Sequence, residues 1–264
     1  MNIFLVKFYN DVKSPSWPEI ETYGDYQKLP LYIKQECEQQ HNLFKRFSEI
    51  EDPDYWRKLT LEVWVKDNLG YVPVLKCAYS YYSKQFQDLG WKKTNIGSID
   101  KETVLFGVIK DPLTRWIKGV VEFLSQVVQV NNVTDEFLER LLCANSAIAM
   151  PDLHSVCYHI QYGNYLNNIT WIPMDDLDDQ QIKTCLQTFC KKHGQSVDFA
   201  DQHRINPSSE LEKNLYNKIR KLLYEHIDKN SPYIINLQIF MAPDLKFYRN
   251  LISNFDPSFS NLNK

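Results

Sequence analysis

Three short runs of consecutive apolar residues, each broken by a lysine or an acidic turn and followed by a helical pattern, constrain this chain most. Tyr71-Val72-Pro73-Val74-Leu75 breaks at Lys76-Cys77-Ala78-Tyr79-Ser80, after which Tyr82, Phe86 and Leu89 recur at helical intervals up to Gly90. Val104-Leu105-Phe106-Gly107-Val108-Ile109 breaks at Lys110-Asp111-Pro112. From Leu113 to Val130 the period is helical again, with Trp116, Val120, Phe123, Leu124 and Val127 on one face. Ile169-Thr170-Trp171-Ile172-Pro173 leads through an acidic turn into a helix ending near His193-Gly194. A continuous apolar run is what a strand buried on both faces looks like. Strands alternating with long helices imply right-handed crossovers and a sheet covered on both sides. The expected class is α/β: a three-layer parallel sheet with phosphate-binding turns at its strand ends.

Residues 1–69 read as a helix-rich, aromatic extension. Pro30 to Phe47 carries apolar residues at helical spacing. Asp52-Pro53 opens a further helix, with an acidic cap and proline at its first position. That helix is expected to run through Tyr55-Trp56 and Val63-Trp64-Val65 to a stop at Gly70. Residues 70–230 form the α/β core. Its last helix starts at Ser209, boxed with Glu212, and continues through Leu211, Leu215, Ile219, Leu222 and Leu223, a stripe of core type. Residues 231–264, rich in Pro and Asn, read as a C-terminal segment of uncertain order.

Composition narrows the function. Hydrophobic content of 44% and charged content of 24% exclude wholesale disorder. A net charge of −3 excludes a protein that coats nucleic acid by bulk charge. Only 8 glycines in 264 residues argue against turn-rich β folds and against the glycine-rich nucleotide loops. The six cysteines (Cys37, Cys77, Cys143, Cys157, Cys185 and Cys190) have no C-x-x-C pair or metal-finger spacing, so they read as reduced thiols and no metal is expected. The first apolar run, Ile3 to Val6, is too short for a signal peptide, and no stretch reaches the ~18 apolar residues of a membrane span. A soluble, cytoplasmic protein is expected, and the triplets at Asn132 and Asn168 are read as chance matches to the glycosylation signal.

In open parallel sheets ligands bind beyond the carboxyl ends of strands. Two such ends carry lysines at abrupt turns, Lys76 and Lys110. A helix N-terminus offers unpaired N–H groups and about half a positive charge, which suits phosphate. Lys76-Cys77-Ala78-Tyr79-Ser80 resembles the 5′-phosphosulfate loop of sulfotransferases, Lys-x-Gly-Thr/Ser-Thr/Ser. Val108-Ile109-Lys110-Asp111-Pro112-Leu113-Thr114-Arg115-Trp116-Ile117-Lys118-Gly119 resembles their 3′-phosphate segment, Arg-Asp-Pro-x-x-Arg-x-x-Ser-Gly/Ala. Asp152-Leu153-His154, Ile172-Pro173-Met174-Asp175-Asp176-Leu177 and His203-Arg204-Ile205-Asn206-Pro207-Ser208 are similar, in order, to stretches of the carbohydrate-type branch. The resemblance spans roughly residues 70–228. It departs at Ala78, where the family has glycine, at Tyr79, where it has a small hydroxyl residue, and at Lys110 and Lys118, which stand for arginine and serine but keep or add positive charge.

The resemblance implies a sulfotransferase that uses 3′-phosphoadenosine 5′-phosphosulfate (PAPS) and no metal, acting on a hydroxyl acceptor of small-molecule or glycan type. Lys76 would stabilise the leaving oxygen, with Cys77, Ala78, Tyr79 and Ser80 forming the 5′-phosphate loop. Lys110 and Lys118 would grip the 3′-phosphate. Arg115 either assists there or braces the Asp111 turn, and Asp111 reads as a helix cap. His154 is the nominated general base, since imidazole titrates near neutrality; the alternative is a buried histidine bonded to backbone. His159 and Glu122 are further candidates. Two rival readings stand beside this one. The first is a sulfotransferase-like scaffold that binds an anion and transfers nothing. The second is a P-loop small-molecule kinase, which would need Gly-x-x-x-x-Gly-Lys-Ser/Thr and a magnesium carboxylate; the Lys76 loop contains no glycine.

Overall fold

The computed structural model describes residues 53–127, 134–135, 138, 154–155, 157–175, 177–200, 209–228 and 235–256. The helix expected over Pro30–Phe47, the Asp152-Leu153 pair and the His203–Ser208 stretch lie outside the described residues. The chain divides into two compact units, each assembled from separated stretches. A sheet unit comprises Asp54–Asp111, Tyr162–Pro207 and Leu245–Lys264. A helical unit comprises Met1–Pro53, Pro112–Gln161 and Ser208–Asp244.

The sheet unit carries five strands in the order β3-β1-β2-β4-β5. They are β1 (Glu62–Lys66), β2 (Leu69–Tyr71), β3 (Lys92–Asn95), β4 (Val104–Ile109) and β5 (Ile169–Pro173). β2, β4 and β5 run parallel, with Gly70 opposite Leu105 and Val108 opposite Ile172. β1 is antiparallel to both β2 and β3. The class is therefore α/β, but the sheet is mixed: a parallel core with an antiparallel flank, where the apolar runs alone implied a parallel sheet.

The flank also corrects the expected helix over 52–70. Helix α1 (Pro53–Thr60) opens at the proline as expected but ends before Leu61. Val63-Trp64-Val65 then forms the middle of β1, because β-branched and aromatic side chains suit a pleated, half-buried surface. Asp67, at φ 50, and Asn68 make the hairpin turn into β2. Gly70 sits inside β2 and stops no helix. A Cβ there would come within 2.7 Å of Leu105 Cδ2 and 2.8 Å of Val63 Cγ1, so the missing side chain permits the strand packing. β3 has no apolar run at all; it is an edge strand whose Lys92 and Lys93 are exposed, a composition that discourages further pairing.

Helix α2 (Tyr79–Asp88) follows β2, and α5 (Asp179–Lys192) follows β5 behind a capping box between Asp178 and Gln181. Aromatic side chains fill the space they enclose. Tyr71 stacks on Phe86 at 4.4 Å between centroids, and Phe106 meets Phe189 at 4.8 Å. Trp91 and Phe199 close on the same cluster. Each such buried ring contributes roughly 1.5–3 kcal/mol.

In the helical unit, α3 (Pro112–Val127) packs on α6 (Glu210–Asp228). Trp116, Ile117, Val120 and Leu124 are buried on α3, as are Leu215, Ile219 and Leu223 on α6; Leu211 at the start of the α6 stripe is exposed. The Ser209–Glu212 box forms in both directions. The unit also contains the first residues of α4 (Tyr158–Tyr162) and the start of α7 (Ile235–Asn254), a helix that holds Pro243 within it. No helix among the described residues is long and apolar enough to cross a membrane.

Candidate functional site

The turn after β2 has an unusual backbone. Val72 extends the parallel pairing by donating its N–H to Phe106 O at 2.7 Å, after which the chain leaves the sheet. Cys77 closes a tight turn by donating to Val74 O at 3.0 Å and is itself buried. On either side of it Lys76 (φ 66) and Ala78 (φ 57) take the left-handed conformation. Only a few per cent of non-glycine residues do so, and two flanking one residue is a concentration of strain. Ala78 thus takes a backbone conformation that favours glycine. It is also the N-cap of α2, and with only a methyl side chain it accepts no cap hydrogen bond. The first-turn N–H groups of a helix have no intrahelical acceptor, and such an end suits an anion.

The side chains of the loop diverge. Lys76 is half-buried and Ser80 is exposed. The Tyr79 hydroxyl donates to Glu62 Oε2 on β1, and Glu62 also pairs with Lys93 Nζ at 2.6 Å. Burial, reinforced by that carboxylate, pushes the Tyr79 phenol well above its usual range. Tyr71 is wholly buried and its hydroxyl has no hydrogen-bond partner among the described residues; burial first, then the neighbouring Tyr82 and Cys77, raise its pKa.

β4 runs parallel beside β2 and continues three residues past the Tyr71–Phe106 pair, so its own turn leaves the sheet at the same carboxyl edge. Lys110 there is half-buried. The Asp111 backbone N–H donates to Asp175 Oδ2, just past β5, and Tyr248 Oη donates to the same oxygen at 2.6 Å. Met174 N–H completes the tie by donating to Ile109 O at 2.9 Å. Asp175, noticed in the sequence only as part of a motif, is thereby tied to the backbone of this turn.

The remaining nominated residues belong to the helical unit. Arg115 is 2% exposed; its guanidinium donates to Gln161 Oε1 at 2.8 Å and lies 4.6 Å from the Tyr158 ring centroid. Lys118, Glu122 and His154 are half-buried. Gly119 explains how α3 approaches the His154 segment: a Cβ there would lie 2.4 Å from His154 O and 2.7 Å from Ser155 N.

One cluster in this unit was invisible in the sequence. Cys157, His159 and Asp244 each bring a donor atom to within 4.8 Å of the others. Asp244, 1% exposed on α7, accepts hydrogen bonds from the backbone N–H groups of Tyr158 and His159 and pairs with His159 Nδ1 at 2.6 Å. Burial pushes the Cys157 thiol well up, Asp244 adds to this, and Arg115 opposes it. Only the separation of 85 positions between His159 and Asp244 hides this set. The four described cysteines, Cys77, Cys157, Cys185 and Cys190, are free and buried.

Among known proteins, no family model, curated protein or solved structure significantly matches this chain.

Proposed function

We propose that this protein is a PAPS-dependent sulfotransferase acting on a hydroxyl acceptor of carbohydrate type. The observation that carries the proposal is the sheet register: β2 and β4 are adjacent and parallel, so the Lys76 and Lys110 turns leave the same edge of the sheet. The N-terminus of α2, which has no side-chain cap hydrogen bond, and the glycine-like backbone at Ala78 support it further.

In this reading the acceptor oxygen forms its bond to sulfur as the bond from sulfur to the bridging oxygen breaks, and the electron pair stays on the 5′-phosphate. Little covalent work falls to the protein; positioning and charge neutralisation dominate, as in phosphoryl transfer. Lys76 meets the negative charge that grows on the bridging oxygen, a contact stronger in the transition state than before it. The α2 amides and Ser80 hold the 5′-phosphate. Tyr79, committed to Glu62, fixes the loop against β1 and leaves phosphate contact to its backbone. Lys110 neutralises the 3′-phosphate from the turn after β4. Arg115, held by Gln161 and Tyr158, braces α3 and contacts no phosphate.

The test is transfer of labelled sulfate from PAPS to a panel of glycan and small hydroxyl acceptors by the wild type and by Lys76→Ala. Transfer abolished by the substitution supports the proposal. A second reading, an anion-binding scaffold without transfer, is favoured by the engagement of the Tyr79 hydroxyl with Glu62. It predicts binding of the nucleotide with no acceptor ever labelled.

A further inference from the structure

We propose that Cys157, His159 and Asp244 form a binding site for one thiophilic divalent cation of the zinc class, separate from the sulfuryl-transfer chemistry. The three side chains supply a thiolate, an imidazole nitrogen and a carboxylate oxygen, the donor types that zinc takes in sites with three protein ligands and one further position. Their donor atoms already lie within 4.8 Å of one another, so closing on a cation needs side-chain adjustment and no rebuilding of the fold. All three are anchored. Cys157 and His159 flank the first residue of α4, while Asp244 on α7 is fixed by the N–H groups of Tyr158 and His159, the latter at 2.9 Å. The 2.6 Å contact between Asp244 Oδ1 and His159 Nδ1 sets these two donors side by side, and a cation bound between them takes the place of the shared proton.

Charge and burial fit a dication. Cys157 is 3% exposed and Asp244 1%, so an ionised thiol and carboxylate there need a counter-charge from within the protein. Ionised together they carry two negative charges, which one divalent cation neutralises. Binding displaces the Cys157 proton, and the cation fastens α7 to the start of α4.

The experiment uses the full chain, stripped with a chelator and titrated with cobalt(II) alone. The expected result is one cobalt per chain, with a thiolate-to-cobalt charge-transfer band in the near ultraviolet that added zinc bleaches. Cys157→Ser removes the band, Cys190→Ala leaves it unchanged, and His159→Gln weakens cobalt binding by more than about 100-fold. Absence of binding, binding without the charge-transfer band, or a band that persists in Cys157→Ser overturns the proposal. So does undiminished affinity in His159→Gln, a variant that keeps both the thiol and Asp244 in place should Cys157→Ser fail to fold. Circular dichroism verifies the fold of each variant.

Discussion

Replacing Ala78 by glycine isolates the backbone strain in the turn after β2. Residue 78 holds φ 57 in the folded chain, a conformation that costs an L-residue roughly 1–2 kcal/mol. Glycine escapes that cost but loses about 0.5–1 kcal/mol more conformational entropy on folding. The lost methyl group caps nothing, since Ala78 makes no side-chain cap hydrogen bond. The balance for Ala78→Gly therefore runs from about zero to about 1.5 kcal/mol of stabilisation. In a chain of this size each 1 kcal/mol moves the melting temperature by about 2–4 °C. The assay is thermal unfolding followed by circular dichroism, with Ala78→Val as a companion. Glycine should leave the midpoint unchanged or raise it by up to about 6 °C, whereas valine, β-branched at positive φ, should lower it. Were residue 78 in ordinary right-handed backbone, glycine would instead cost about 0.5–1 kcal/mol. A clear fall in the midpoint for Ala78→Gly would refute the left-handed assignment.

Other substitutions probe other levels of the structure. Lys76→Ala should lower turnover by about 10²–10³-fold while shifting stability by no more than about 0.5 kcal/mol, read from labelled-sulfate transfer and urea unfolding; equal turnover would remove Lys76 from the chemistry. Gly119→Ala forces a methyl group onto the His154 and Ser155 backbone, which cannot swing aside as a side chain would, so urea unfolding should show a loss of about 1–3 kcal/mol or more. Burial pushes the Cys190 thiol up to about 12 and Cys157 upward as well. Above the ordinary thiol value of 9.0 the unfolded chain loses protons that the folded chain keeps, so stability falls as pH rises from there towards the folded values. The slope is about 1.4 kcal/mol per pH unit per thiol, and Cys190→Ala should reduce the alkaline slope of urea stability by about that amount; an unchanged slope would contradict the assignment.

The strands that the sequence reveals are those whose both faces are covered. β4 and β5 are continuous apolar runs, and they appear at Val104–Ile109 and Ile169–Pro173 as expected. The helix starts at Pro53 and Ser209 were equally legible, because caps and prolines act through local chemistry. Legibility fails where tertiary partners decide. Val63-Trp64-Val65 fits a helix or a strand on period alone, and its pairing with β2 and β3 settles the matter. Lys92-Lys93-Thr94-Asn95 has no strand pattern because an edge needs little burial. At the candidate site the Lys110 turn followed directly from where the β4 run stops; of the Tyr71–Leu75 run, read as a strand, only Tyr71 lies in β2, and Val72 adds one further hydrogen bond to β4 before the chain leaves the sheet ahead of Lys76. The left-handed backbone at Lys76 and Ala78, the Tyr79–Glu62 contact and the Asp175 tie did not follow from the sequence, since each depends on residues brought together from separate strands. The Cys157, His159 and Asp244 set lies beyond spacing rules for the same reason.

Isothermal titration with 3′-phosphoadenosine 5′-phosphate, without added metal, addresses the paired lysine turns most directly. Saturable binding that falls sharply when the 3′-phosphate is removed from the ligand, and again in Lys76→Ala and Lys110→Ala, is the predicted outcome. Binding indifferent to the 3′-phosphate, or a preference for ATP with magnesium, would contradict it.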